Sequence, residues 1–302
     1  MSKFVRFLLL LLTFHATMLS AQEAEDVEVT DQNGKRSPFK VGLYIGSYFA
    51  NKYTAGVYDG YGFDLDGKRN TVFENSYMYE KIINQYGGGY GQTDQIAIAL
   101  GVNHTDWSFN SNDMPVNMRY TPAFLLGLQC RYSVDEKNAI SINLNASKLS
   151  ISGNFTISTI PASGSSQMNN SIKTFGIRGG EQRLMIQIGY NRIFGDNEKA
   201  NFFAEAGMNI TYSQFDKNEI LINDLMIDLL GFYDFQGIQA GYGRKPRGMG
   251  YGVYAGAGLN ITMSEQFTIQ LIYSPSYEGI NIGDNPKLKW QHSLGLRAYY
   301  NF

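Results

Sequence analysis

Histidine and cysteine, the side chains most readily poised for bond-making chemistry near neutral pH, are scarce in this chain. It carries three histidines and one cysteine. His292 stands beside Ser293, and a histidine base with a serine nucleophile would suit ester hydrolysis. A base must reach the proton it removes, however, and adjacent residues of an extended chain point to opposite faces. His104 lies close to Asp106, an orienting carboxylate in principle, but nothing in the local sequence fixes their geometry. No catalytic residue and no enzymatic activity are therefore expected. "DLDGKRN" (residues 64–70) opens like a calcium loop, with alternate carboxylates and then glycine. It lacks the bidentate acid that closes such a loop, so an Asp-Gly turn is the reading, with no metal and no other cofactor. "GYGRKPRGMGYG" (241–252) is glycine-rich and basic, without the GK[ST] of a phosphate-binding loop. Cys130 has no internal disulfide partner and reads as a small apolar residue, buried or lipid-facing.

The remaining chemistry is electrostatic, and it depends on which way side chains point. In "QHSLGLRAYYNF" the residues Leu294, Leu296, Ala298, Tyr300 and Phe302 are apolar, and Arg297 lies among the small and polar residues between them. A strand puts alternate side chains on opposite faces, so this segment has one apolar and one polar face. The same alternation marks seven further segments. They begin at "FKVGLYIGSYF" (39–49) and "MRYTPAFLLGLQCRYSV" (118–134), followed by "AISINLNAS" (139–147) and "QRLMIQIGYNRIF" (182–194). "NFFAEAGMNITYS" (201–213), "YGVYAGAGLNITM" (251–263) and "FTIQLIYSPSY" (267–277) complete the set. On the polar face lie Lys40, Arg119, Arg131, Arg183, Arg297 and one acid, Glu205, with Gln129, Gln187 and Gln270.

The connections sort by length. "DEKN", "GDNEK" and "SEQ" are tight polar turns, whereas residues 50–117, 150–180, 216–248 and 278–289 form the alternate, long connections. Short turns on one side and long loops on the other, with an even number of half-apolar strands, predict an all-β transmembrane antiparallel up-and-down barrel of about eight strands. Both ends of the barrel are then periplasmic and the long loops extracellular. The interior of such a barrel is just wide enough for side chains to fill. Glu205 is expected to pair with the inward arginines, Arg183 being on the neighbouring strand, as a plug in preference to an ion path.

Other segments fit an exported chain. Residues 1–21 carry Lys3 and Arg6, a short apolar run and then small residues, the layout of a secretory signal peptide. Residues 22–38 are polar, without an aromatic before Pro38, and predict a disordered periplasmic lead-in. The barrel is expected over 39–302, with 51–117 as a long extracellular loop. Within it "NSYMYEKIINQYG" (75–87) has apolar residues at helical spacing behind Asn75 or Ser76 as N-cap. "TDQIAIALGV" (93–102) predicts a second short helix capped by Thr93 or Asp94. With 25 basic and 27 acidic residues there is no basic excess for a nucleic-acid partner. The mean hydropathy of −0.25 gives no membrane-helix signal, which a barrel would not produce.

On these strands, turns and terminal residues the chain resembles the small bacterial outer-membrane β-barrel proteins of OmpA and OmpX type, as they occur in Bacteroidota. The resemblance covers residues 39–302. It implies an outer-membrane location and a last strand, with Tyr300 and Phe302, that resembles the signal read by the barrel-assembly machinery. It implies outer-membrane lipids as neighbours, lipopolysaccharide included. Arg244, Lys245 and Arg247 would then stand near lipopolysaccharide phosphates, although basic loop composition alone accounts for them about as well. The function expected is that of a non-enzymatic surface or envelope protein whose loops meet an unidentified external or envelope partner. The alternative is a narrow porin-like uptake channel for a small or apolar solute, gated by the first loop.

Overall fold

Eight strands with the expected alternation close on themselves. The structure, a computed structural model, describes residues 38–64, 68–160, 171–197, 199–230, 247–282 and 287–301. The barrel strands are β1 (Phe39–Phe49), β2 (Ala123–Ser133), β3 (Asn138–Thr159) and β4 (Ser171–Phe194), then β5 (Ala200–Ile222), β6 (Arg247–Thr262), β7 (Phe267–Ile280) and β8 (Lys289–Asn301). Each pairs antiparallel with its neighbours in sequence. The ring closes where β1 meets β8, with Val41 opposite Tyr300 and Phe49 opposite His292. Closure leaves no unpaired sheet edge in the ring, the condition for strands to cross hydrocarbon.

The outer wall carries exposed apolar side chains where an aqueous protein would carry polar ones. Leu43, Ile45, Phe124, Ile142, Ile188, Met208, Val253 and Leu296 are all exposed. Aromatic residues bound this belt. Tyr132, Tyr190, Phe202, Phe267 and Tyr300 are exposed by the tight turns, and Phe49, Tyr251, Tyr277 and Trp290 are exposed at the other rim. An apolar band between aromatic girdles is how a barrel meets a bilayer. Along β3 the lipid-type face runs from Ile140 to Ala146. At about 3.3 Å per residue and a tilt near 40°, the ten residues from 138 to 147 rise about 25 Å, the height of such a band.

Strands β3, β4 and β5 do not stop at the rim. They have 22, 24 and 23 residues against 11 in β1 and β2. Residues 150–180 and 216–248 are therefore not the simple loops expected from sequence, because paired strand continues through most of their described part. The alternation persists along β3 without interruption while its chemistry inverts. Below the rim the buried residues are Ser141, Asn143, Asn145 and Ser147; above it they are Leu149, Ile151, Phe155 and Ile157. The outward residues change in the opposite sense, from Ile140, Ile142, Leu144 and Ala146 to Lys148, Ser150, Ser152, Asn154, Thr156 and Ser158. The cause is the solvent on each side. Lipid outside demands apolar outward faces over a narrow polar lumen, and water outside demands the reverse over a dry core. Opposite Gly180 the register with β5 shifts by one residue at Asp216, so the buried set changes from Phe215 to Asn218, Ile220 and Ile222.

The first connection fills that dry core. It contains α1 (Lys52–Ala55), α2 (Tyr77–Tyr79) and α3 (Gln95–Leu100), with short 3-10 turns between them. Ser76 caps α2 and Asp94 caps α3 through their side chains, as two of the candidate caps anticipated. The segment expected as one helix over 75–87 instead begins as a 3-10 turn, makes three α residues and continues as a π-helix over Glu80–Gln85. Tyr58, Met78, Ile82, Ile96, Leu100, Phe109 and Met114 pack against Ile151, Phe155, Phe175, Ile177, Phe215 and Ile220 of the extended strands. Tyr58 stacks on Phe215 with centroids 4.0 Å apart. No helix among the described residues is long and apolar enough to cross a membrane. Residues 1–37, where the signal peptide and most of the lead-in are expected, lie outside the described residues.

Candidate functional site

Glu205 anchors the lower polar layer of the lumen. It faces inward from β5, as its parity predicted, and is buried. Its ion-pair partner is Arg297 of β8 at 2.6 Å, not Arg183. Tyr254 donates to it at 2.5 Å, Ser141 and Asn143 at 3.0 Å each, and Asn191 at 3.3 Å. Tyr254 reaches the carboxylate because residue 189 is glycine; a Cβ there would stand 2.2 Å from the Tyr254 hydroxyl. Arg131 is buried at the same end of the lumen, with no ion pair among the described residues.

Arg183 belongs to an upper layer whose acids the sequence reading missed. Its Nε meets Glu181 at 2.5 Å, and both side chains are wholly buried. Arg183 also donates to Tyr48, Thr54 and Tyr120, each at 3.1 Å. Tyr120 donates to Glu181 at 2.5 Å, Tyr58 donates to it at 3.3 Å, and Ser213 donates to it as well. A third buried acid, Glu278 of β7, accepts from Asn209 at 2.5 Å, Thr211 at 2.6 Å and Tyr48 at 3.3 Å. Thr54, Tyr58 and Tyr120 belong to the first connection, so this layer latches the cap to the barrel. Residue 179 is glycine where the Tyr58 ring lies; a Cβ would meet it at 2.5 Å. Beside these polar layers Tyr44, Tyr48, Ala123, Leu125, Leu149, Met185, Phe203 and Ile272 form a buried apolar cluster. Layers of buried side chains thus cross the lumen one above another.

Arg119 is not in the lumen. The chain breaks from extended structure at Thr121 and Pro122, so parity carried from β2 across that break fails. Arg119 sits in a two-residue strand opposite Ser152 of β3 and is exposed, whereas Tyr120, expected outward, turns in to the latch. Arg119 lines a cleft of about 650 Å³ in the wall of the cap, with Lys52, Tyr53, Asp59, Val116, Asn117 and Asn154 among the other lining residues. Asp59 is ion-paired to Arg69 and accepts from the Tyr61 amide at 3.2 Å. Burial lifts its carboxyl above the usual value, with Arg69 opposing the shift. Arg247 is exposed at the start of β6, and Arg244 and Lys245 lie outside the described residues. Tyr300 is in the turn-side girdle against Phe267, with centroids 5.3 Å apart, and Phe302 lies outside the described residues.

The histidines are held by other partners. His292 hydrogen-bonds the Tyr273 hydroxyl at 2.7 Å and stacks on that ring. His104 Nδ1 lies 2.6 Å from Asp94, not Asp106, and Trp107 donates to the same carboxylate at 2.9 Å. Asp106 instead accepts from Asn103 at 2.6 Å. The Asp64 carboxylate accepts from the Lys68 amide at 2.7 Å, which is turn geometry. No group of three or more metal-ligating side chains is present among the described residues. Cys130 is half-buried and free.

Fold and interior together define a transmembrane up-and-down β-barrel whose lumen is crossed by side chains and whose extended strands carry a packed cap. No family model matches the chain, and no curated protein matches it. Among solved structures it is similar to Neisserial surface protein A, at 9% identity and a TM-score of 0.41, covering 89% of this chain and 99% of that one. It is also similar to outer membrane protein OprG from Pseudomonas aeruginosa, at 10% identity and a TM-score of 0.37, with coverage of 89% and 98%. A third likeness is to the outer membrane protease OmpT from Escherichia coli, at 9% identity and a TM-score of 0.34, with coverage of 89% and 98%. Likeness of this degree assigns neither family nor activity.

Proposed function

We propose that the protein is a non-enzymatic surface protein of the bacterial outer membrane, in which a closed barrel carries a rigid extracellular cap that meets an external or envelope partner. The observation that carries this reading is the inversion along β3. The strands that line a polar lumen within the belt line an apolar core above it, and the first connection is built into that core. Thr54, Tyr58 and Tyr120 tie the connection to Arg183 and Glu181, so it is load-carrying structure and not a hinged lid. A lumen crossed by the Glu205–Arg297 pair and by the bond from Arg183 to Tyr48 disfavours the uptake channel. Side chains exposed at the far end of the strand extensions and on α3, such as Ile98, Ile172 and Met226, support the cap as the contacting face. The experiment is recording in planar bilayers together with whole-cell binding. The wild-type barrel should show no steps in conductance, and deletion of the cap should abolish partner binding while the barrel stays in the outer membrane. Steady ion conductance through the intact protein would favour the channel.

A further inference from the structure

The cleft in the cap wall has the composition of an anion site at the level of lipid headgroups. It lies over the seam of β8, β1, β2 and β3, above exposed Trp290 and Phe49 of the upper girdle and Phe124 of the belt. Arg119 faces outward opposite Ser152, and Lys52 opens α1 just beyond β1. Lys287 and Lys289 bring their Nζ atoms 5.6 and 5.3 Å from the centroid of Tyr53, which lines the same cleft. Four cations therefore converge on one face of a chain whose net charge is −2. None of the four has an ion pair among the described residues. The carboxylate in the lining, Asp59, is taken by Arg69.

Two other rim lysines differ in their partners. At the same level on β3 and β5, Lys148 is paired with Asp216 at 2.8 Å and Lys217 with Glu219 at 2.6 Å. Lys148 and Lys217 are thus neutralised by acids on the wall beside them, and the four cations around the hollow are not, among the described residues. Asn117, Ser152 and Asn154 add hydrogen-bonding side chains to the lining, and Pro115, Val116 and Tyr53 add an apolar lip. A volume of about 650 Å³ suits a phosphorylated sugar headgroup. Several unpaired cations with neutral donors and a partly apolar edge match phosphate monoesters on such a sugar.

We propose that this cleft binds the phosphate of an outer-leaflet glycolipid headgroup, with Lys52 and Arg119 as its direct ligands and Lys287 and Lys289 as flanking charge. The inference rests on the outer-membrane reading above. The test uses the full chain in phosphatidylcholine nanodiscs and measures binding of diphosphoryl lipid A, the same lipid without its phosphates, and inorganic phosphate. Diphosphoryl lipid A should bind, with affinity falling as salt is raised. The dephosphorylated lipid should bind at least about tenfold more weakly. Lys52→Gln with Arg119→Gln should weaken the phosphorylated lipid by about tenfold or more, whereas Lys148→Gln should leave it unchanged. Heat-modifiable gel mobility confirms that each variant is folded. Equal binding of both lipids, or an unchanged affinity in the double variant, would overturn the proposal. Inorganic phosphate binding as tightly as the lipid would overturn the lipid source in favour of a soluble anion. None of these outcomes bears on topology, which cysteine labelling on cells tests separately.

Discussion

Truncating Glu205 removes the hub of the lower lumen. Its carboxylate accepts from Arg297, Tyr254, Ser141, Asn143 and Asn191, all in a buried setting. Glu205→Ala strands the Arg297 guanidinium, which makes no other ion pair among the described residues and lies 5.8 Å from the Tyr44 ring. A buried charge left without its partner typically costs about 3–5 kcal/mol. Orphaning the tyrosine and asparagine donors adds to this, at about 1–3 kcal/mol for each one that finds no new acceptor. Relaxation of the layer offsets part of the sum, so a loss of at least about 3 kcal/mol is expected. Urea unfolding in lipid vesicles, followed by tryptophan fluorescence, measures it. Adding Arg297→Met to Glu205→Leu should restore much of the loss, because an apolar pair of similar volume often replaces a buried ion pair without penalty. Ala206→Leu on the lipid side of the same strand should change stability by less than about 0.5 kcal/mol. If Glu205→Ala unfolds with the wild-type midpoint and slope, the argument for an inward, paired Glu205 fails.

Three further outcomes are expected, two from the geometry and the last from the terminal sequence. Arg183→Met, which cuts the bonds to Thr54 and Tyr120 and strands Glu181, should cost about 3–5 kcal/mol and expose the first connection to limited proteolysis, with Glu181→Gln in the same chain partly rescuing it. Ile157→Ala, in the dry core of the cap, should cost about 2–4 kcal/mol in hydrogen-exchange protection of the cap, whereas Ser158→Ala on the wet side should be near neutral. Phe302→Ser should leave the chain periplasmic and protease-sensitive if the terminal strand is an assembly signal; normal outer-membrane levels by heat-modifiable mobility would refute that role.

What the sequence disclosed and what it concealed have one physical origin. Within the bilayer the outside is apolar, so every strand shows an apolar set with period two, and strand count, closure and the inward placement of Glu205, Arg131, Arg183 and Arg297 could be read from it. Above the rim the period continues but the apolar set moves to the other parity, at Leu149, Ile151, Phe155 and Ile157. A reader following Ile140, Ile142 and Leu144 sees the pattern end there and assigns a loop. Glu181 was missed for that reason, since it sits in the extension of β4, and Glu278 because it falls at the end of β7. With only Glu205 visible as an acid, Arg183 was given the wrong partner. Arg119 was misplaced by carrying parity through Pro122, which cannot donate to a ladder and marks a break. The signal able to find the extensions was present all along: "LSISGNFTIST" (149–159) alternates as regularly as the strands below it, with apolar residues at the opposite parity.

The inversion along β3 is the central claim, and a cysteine scan from 140 to 158 on intact cells, in a Cys130→Ala background, tests it most directly. An impermeant thiol reagent should leave residues 140, 142, 144 and 146 unlabelled because lipid covers them, and a lipid-soluble quencher should reach these four. Residues 148, 150, 152, 154, 156 and 158 should label with the impermeant reagent. The inward set, 141 to 157 by twos, should resist both. Labelling of 149, 151, 155 and 157 from outside would mean an open, water-filled mouth in place of a packed cap, and shielding of 150 to 158 would mean that the belt, and with it the bilayer, lies elsewhere.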